Sequence, residues 1–264
     1  MVTYQVKVKE WKLSDQLQLR VISTKEEVEI ACQLLAELMS QQNPLYSKGE
    51  LAIEIQNFYT SYISLVDLII QDGISIIAKD QISKRYVGAL LNIDFFHYVQ
   101  HFKSFEDEHG NYQMQKYNQY NQNPEDNLRR KGLKFLKSQF NLYTYQQMLM
   151  FNQDALQRHK TVDQIGGGVT SEFQRQGLSM KMLELSAQFQ HQQFGYQYCV
   201  STQTNHISQK FANKYYRSLL RIQFDCTNFI VENVKIFEGV LFPDNKVIYQ
   251  AQVFFIPFYS DAKL

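Results

Sequence analysis

Residues 161–179, TVDQIGGGVTSEFQRQGLS, constrain this chain more than any other stretch. Val162 to Val169 suits a strand, Thr170 to Phe173 suits a bend, and Gly177 to Phe194 repeats apolar residues at helical spacing. Leu178, Met182, Leu185 and Phe189 share one face of that helix, and Gly195 stands where its last turn should close. A helix that starts directly after a glycine leaves its first N–H groups unpaired and points the positive end of its dipole at one spot. A phosphate can lie there without any side-chain charge if no Cβ blocks the approach, which is the physical case for Gly177 and the small Ser179. A strand, a glycine turn and a helix also make an ordinary βα connection, so both readings stand at this point. Gly166, Gly167 and Gly168 each weaken a strand by roughly 0.5–1 kcal/mol. Either close approach of another backbone or ligand, or a bulge that splays neighbouring strands, is expected to compensate.

The rest of the chain supplies elements to surround this unit. Gln16 to Ser23 reads as a first strand, and Thr24-Lys25-Glu26-Glu27 offers a capping box before a helix carrying Val28, Ala31, Leu35 and Leu38. Asn43-Pro44 stops that helix. A second helix is expected from Lys48 to Gln71, with Gly73 just past its end, followed by strands Ile74 to Ala78 and Tyr86 to Phe95 as a hairpin. Residues 96–160 read as a mainly helical insertion, with helical spacing over Glu125 to Ser138 and Leu142 to His159. After the glycine unit come a strand at Tyr196 to Thr202, a helix at His206 to Arg217 capped by Thr204-Asn205, and strands at Leu219 to Phe224 and Lys246 to Pro257. If the glycine-led helix is a crossover, the strands on either side of it are parallel. The expectation is an α/β protein of the α+β type, one domain over 1–264 with a mixed, mostly antiparallel sheet flanked by helices.

Charge and cysteine use exclude several functions. With 27 basic and 26 acidic residues the net charge is +1, which supplies no field to hold nucleic acid or an anionic membrane. No run of apolar residues is long enough to span a bilayer, and MVTYQVKVKEW never builds the apolar core of a signal peptide. Cys32, Cys199 and Cys226 read as free thiols in a reducing compartment, so cytoplasm is expected. The alternative is peroxisomal, because Ala262-Lys263-Leu264 differs by one conservative change from the S-K-L address. Among six histidines only His97 and His101 have a metal-like i, i+4 spacing, and nothing accompanies them, so no metal site is expected.

Gln174, Gly177 and Ser179 reproduce the spacing Q/R-x-x-G-x-G/A, with Ser at the last position. Here the chain resembles the acyl-CoA-binding motif of the GNAT superfamily of N-acetyltransferases, and its element order resembles that fold from about Leu17 to Phe258. The insect-type arylalkylamine (dopamine) N-acetyltransferases are the branch it resembles further. Asn43-Pro44-Leu45, the helical insertion and Thr204-x-x-x-Ser208 carry that likeness, whereas Tyr216-Arg217 stands where the branch reads Gly-Phe. The resemblance implies a GNAT fold with acetyl-CoA as cofactor, bound by Gln174, Arg175, Gln176, Gly177, Leu178 and Ser179 around its pyrophosphate. Gly168 and Val169, on the free edge Gly167 to Thr170, would pair with the pantetheine arm, and Asn205 would lie beside it.

Acetyl transfer to an amine needs a neutral amine, a donor to the developing oxyanion and a proton for the departing thiolate. The resemblance assigns the oxyanion to a backbone N–H near Val169 and the thiolate to Ser208, with Thr204 one turn earlier. The general base of the insect branch falls at Asn43, which cannot accept a proton, so Glu50 and Asp94 are the substitutes considered. Ala212 stands where many GNAT proteins place a tyrosine. Two functions follow. One is an N-acetyltransferase acting on a small primary amine, arylalkylamine-like in character. The other is an inactive GNAT-fold subunit with structural or interaction partners in a larger assembly.

Overall fold

The computed structural model describes residues 9–42, 55–104, 128–237 and 248–256. In chain order these residues form β1 Glu10–Lys12, β2 Leu17–Val21, α1 Lys25–Gln42, α2 Ile55–Ile63, α3 Val66–Asp72, β3 Ile76–Asp80 and β4 Tyr86–Asp94. There follow α4 Phe96–Lys103, α5 Leu128–Phe151, β5 Thr161–Val169, α6 Leu178–Phe194, β6 Tyr198–Gln203, α7 His206–Tyr215, β7 Ser218–Asp225, β8 Ile230–Val231, β9 Val234–Lys235 and β10 Ile248–Phe255. Eight strands make one sheet in the order β1-β2-β3-β4-β5-β6-β10-β7, and β8 pairs with β9 as a separate ribbon. All neighbours in the large sheet are antiparallel except β5 and β6, which α6 joins as a crossover. The architecture is the mixed α/β sheet that the sequence predicts, with helices on both faces.

Period-two alternation assigns each face its layer. Ile77, Ala89, Leu91, Ile93, Ile222, Tyr249 and Ala251 are buried with residues of α1, α2, α3 and α5. Leu19, Val21, Ile76, Leu90 and Val169 turn the other way, against Leu178, Met182 and Phe189 of α6. Under α7 the second face becomes polar, since Gln250 and Gln252 are fully buried and both donate to Asn213 Oδ1, at 3.2 and 2.6 Å. These bonds anchor α7 over β10.

Local chemistry explains most element ends. The capping box closes as expected: Thr24 Oγ1 accepts from Glu27 N–H at 3.3 Å, and Glu27 Oε2 accepts from Ser23 and Thr24 N–H at 2.9 and 3.3 Å. The single helix expected to reach Gln71 is two, α2 and α3. Thr60, Ser61 and Ser64 turn their hydroxyls back onto the carbonyls of Gln56, Asn57 and Ser61, and Leu65 N–H bonds Tyr62 in a tighter turn. Gly73, at φ 60°, ends α3. The two helices expected over 125–159 are one, α5, because 138–141 contains neither glycine nor proline to stop it. The strand β1 and the β8–β9 ribbon were not anticipated. Asn43, Pro44, Glu50, Gly239 and Ala262 to Leu264 lie outside the described residues, among which no helix is long and apolar enough to cross a membrane.

His97 of the i, i+4 pair faces a carboxylate. Its Nε2 lies 3.0 Å from Asp72 Oδ2, which also accepts Asp94 N–H at 2.7 Å. The Asp72 bond raises the His97 pKa, with burial opposing. A histidine raised on folding contributes stability that is full below its unfolded pKa, near 6.5, and is lost as pH rises through the folded value. His97→Gln is therefore expected to cost about 1–3 kcal/mol in urea unfolding at mildly acidic pH and less at alkaline pH. An equal cost at both would rule out the ion pair as its source.

Candidate active site

The parallel strands part early. β5 and β6 pair only from Thr161 with Tyr198 to Gln164 with Ser201, although β5 runs on to Val169 and β6 to Gln203. On its other side β5 matches Asn92 with Gln164 but Leu91 with Gly166, leaving Ile165 as an extra residue. That bulge bends β5 where it leaves β6. Thr170 N–H donates to Val87 C=O at 2.8 Å, so by alternation Gly168 and Gly166 address β4, and Gly167 and Val169 turn their N–H groups into the opening gap. Gly167 is exposed. Gln174 Nε2 lies 3.4 Å from the Val169 carbonyl.

Packing explains the glycines as directly as a ligand would. A Cβ at Gly166 would sit 3.1 Å from Tyr62 Oη, and one at Gly168 would sit 2.9 Å from Leu38 Cδ1, so α1 and α2 lie against bare backbone. At Gly167 the intruder is Leu90 Cδ1, at 2.8 Å. Of the two compensations expected for the triple glycine the bulge is present, and the close approach is made by side chains and not by another backbone. Gly168→Ala is expected to destabilise the fold by about 1–3 kcal/mol through overpacking against Leu38. Restoration by the double variant with Leu38→Ala, read by thermal unfolding, would confirm the cause, and no restoration would refute it.

The turn before α6 is open and uncapped. Gly177, at φ 78°, caps α6 with no side-chain bond, and nothing lies within 4 Å of where its Cβ would be. Arg175 is also left-handed, at φ 62°, and the first turn of α6 holds no acid. Successive residues of opposite hand draw backbone N–H groups into one concavity. Gln174, Arg175 and Gln176 are exposed, Ser179 is half-buried, and Leu178 puts its side chain into the core while its N–H stays at the helix start. The Gln176 side chain is occupied, donating to Glu172 C=O at 2.6 Å.

Solved structures share this fold over nearly the whole chain. Arylalkylamine N-acetyltransferase 2 from Aedes aegypti superposes with a TM-score of 0.62 at 18% identity, covering 90% of this chain and 98% of that one. A polyamine N-acetyltransferase of Drosophila melanogaster gives 0.58 at 13% identity, covering 91% and 100%. The C-terminal condensation domain of Ebony, in complex with beta-alanyl-dopamine, gives 0.55 at 11% identity, covering 91% and 99%. The chain has the GNAT fold. No protein-family model and no curated protein matches its sequence.

Within this GNAT fold the residues expected around the start of α7 lie just past the C-terminal end of β6. Thr204, Asn205 and Ser208 follow β6 where it has left β5. Their present bonds are local: Asn205 Oδ1 accepts Ser208 N–H at 2.8 Å, and Ser208 Oγ donates to Asn205 C=O at 2.9 Å. These are the bonds of an N-cap. Ala212 is buried, and Tyr216 stacks on Phe254 with centroids 4.0 Å apart, so that ring faces the core. Cys32, Cys199 and Cys226 are free and buried, and burial holds all three thiols well above their ordinary pKa.

Asp94 is not brought to the gap. It pairs with Val162, which packs on the α6 and α7 side of the sheet, is fully buried, and accepts N–H bonds from Phe96 and His159 at 3.0 and 2.8 Å. Those bonds organise the start of α4 and the approach to β5. A different carboxylate stands just before the fork, on the face opposite Asp94. Asp163 is half-buried, one residue before the last β5–β6 pair, between Ile93 of β4 and Val200 of β6. Ile93 and Val200 are buried under α1, α4 and α5, so Asp163 faces that layer. Burial raises its pKa to about 7, against a hydrogen bond from Tyr98 that lowers it. The available signal was a carboxylate in the middle of a central strand, three residues before a glycine run.

Proposed function

We propose that this protein is an N-acetyltransferase that moves the acetyl group of acetyl-CoA to the primary amine of an arylalkylamine-like acceptor. The observation that carries the reading is the gap between β5 and β6, with Gly167 and Val169 N–H turned into it beside an uncapped, sterically open α6 terminus. A thioester that binds there supplies an activated acetyl group. The N–H groups after Gly177 hold its pyrophosphate, with Gln174, Arg175 and Ser179 at the rim. Gly167 and Gly168 offer β5 as the edge for an extended arm, and Val169 N–H faces the carbonyl oxygen as it gains charge. Asp163, whose carboxyl is poised near neutrality several residues back along β5, takes the proton of the acceptor ammonium through bridging waters. Ser208, exchanging its bond to Asn205, donates to the departing thiolate.

The test is donor binding by the whole chain. Saturating acetyl-CoA is expected to raise stability by about 2–4 kcal/mol in thermal unfolding. No shift at millimolar acetyl-CoA would overturn the enzyme reading and leave a GNAT fold that serves structure or interaction.

A further inference from the structure

Three buried side-chain polar atoms have no hydrogen-bond partner among the described residues: Arg20 Nε, Thr170 Oγ1 and His206 Nδ1. Buried polar groups in folded proteins are almost always paired, so each exception needs a cause. Arg20 is held through another nitrogen of its guanidinium, which meets Glu27 and donates to Tyr86 Oη at 2.9 Å. His206 shares a helical face with Gln209 and Asn213, whose bonds run to β6 and β10 and not into the gap. Thr170 differs from both, because it stands where the gap opens.

Thr170 follows Val169, the last residue of β5, and at φ −59° and ψ 155° the chain is still extended there. Side chains alternate along this strand end. A Cβ at Gly166 or Gly168 would meet Tyr62 or Leu38, whereas Val169 packs with Leu178 and Met182 of α6. Thr170 therefore falls on the face of Gly168, toward α1, which is also the face that Asp163 takes farther back along β5. Its N–H is used by Val87 C=O and its C=O by Phe173 N–H, but its hydroxyl does not cap the turn that follows. One residue, about 3.3 Å of chain, separates it from the Val169 N–H. The residue is half-buried, and a single χ1 rotation re-aims the hydroxyl.

We propose that Thr170 is an acceptor-binding residue, whose hydroxyl takes an N–H of the incoming amine and holds its nitrogen against the carbonyl carbon activated at Val169. The inference rests on the N-acetyltransferase reading and adds a contact to it. Donor to the oxyanion and acceptor for the amine are then successive residues of one strand end, which fixes their separation. The nitrogen lone pair forms the C–N bond as the C–S bond breaks, the proton lost from nitrogen goes to Asp163 through water, and the thiolate is protonated by Ser208. Thr170 exchanges no proton and only orients the amine. An unpaired hydroxyl in the free protein is the expected state of a group whose partner is the substrate, stability being given up at the site where function needs it.

Thr170→Val is the test, because it removes the hydroxyl and keeps the β-branched shape. With the whole chain and phenylethylamine as probe acceptor, kcat/KM for the amine should fall about tenfold, the worth of one hydrogen bond, while calorimetry shows acetyl-CoA bound as in the parent. Without either substrate the variant should melt no lower than the parent and up to about 2–4 °C higher, since a buried unpaired group is gone. Thr170→Ser should recover most of the lost kcat/KM. A valine variant that melts lower has lost a bond within the protein, and one that acetylates as fast as the parent has lost nothing that the amine uses. Either result overturns the inference and spares the enzyme reading, as does weaker acetyl-CoA binding, which would assign the hydroxyl to the donor. A parent chain that neither binds acetyl-CoA nor acetylates the amine overturns the enzyme reading and this contact with it.

Discussion

Asp163→Asn is expected to lower kcat/KM for amine acetylation by about 10²–10⁴-fold and to remove the limb of the pH profile that rises through neutrality. The limb belongs to Asp163 because only the carboxylate accepts the ammonium proton, and burial beneath α4 and α5 raises its pKa to about 7. The substitution keeps the shape of the side chain, so Tyr98 retains an acceptor and acetyl-CoA should still raise the melting temperature. Stability should move the other way from activity. A carboxyl whose pKa is raised on folding binds more protons in the native than in the unfolded state between its two values, so native stability falls as pH climbs from about 4 to about 7. Asn removes that loss, and at alkaline pH the variant should be more stable than the parent by at most about 4 kcal/mol. A variant that keeps the parental pH limb would exclude Asp163 as the base. One that loses acetyl-CoA binding as well would assign the residue to the fold.

The second large effect is expected at Gly177. Its φ of 78° is a conformation a β-branched residue rarely adopts, so Gly177→Val should strain the turn by about 1–3 kcal/mol. It should also place two methyl groups where the concavity needs room. Stabilisation by acetyl-CoA should disappear, and donor affinity should fall by about 10²-fold or more, while urea unfolding still reports a cooperative domain. Gly177→Ala separates the two causes. Its Cβ meets nothing within 4 Å, so backbone strain of roughly 1–2 kcal/mol remains with little obstruction. A donor affinity equally weak in both variants would trace the loss to turn geometry, and unchanged affinity in the valine variant would place the pyrophosphate elsewhere.

Comparison of particular residues shows how far local reading reached. Gly177 and Gly195 were legible because each ends a helical pattern and each takes a left-handed φ, a local requirement. The Thr24 to Glu27 cap and the β3–β4 hairpin were legible for the same reason: their partners lie within a few residues. The break between α2 and α3 was not, because it depends on three hydroxyls folding back onto a helix that periodicity alone would continue. Asp94 looked like a candidate since it ends a strand, but it is one register position from Asp163 and by alternation falls on the opposite face of the sheet. The triple glycine marked a close approach, but of a backbone or ligand, whereas side chains make it. Leu38, Tyr62 and Leu90 come from three other elements.

By itself the sequence determined the order of most elements, the glycine turn before α6 and the net charge of +1, since each follows from neighbouring residues or from simple sums. The tertiary structure alone decided where β5 leaves β6, which N–H groups enter the gap and which carboxylate stands at its fork. Those outcomes depend on register, and register is a relation between strands that are far apart along the chain. A shift of one residue would turn Asp163 to the opposite face of the sheet and Gly167 back toward β4.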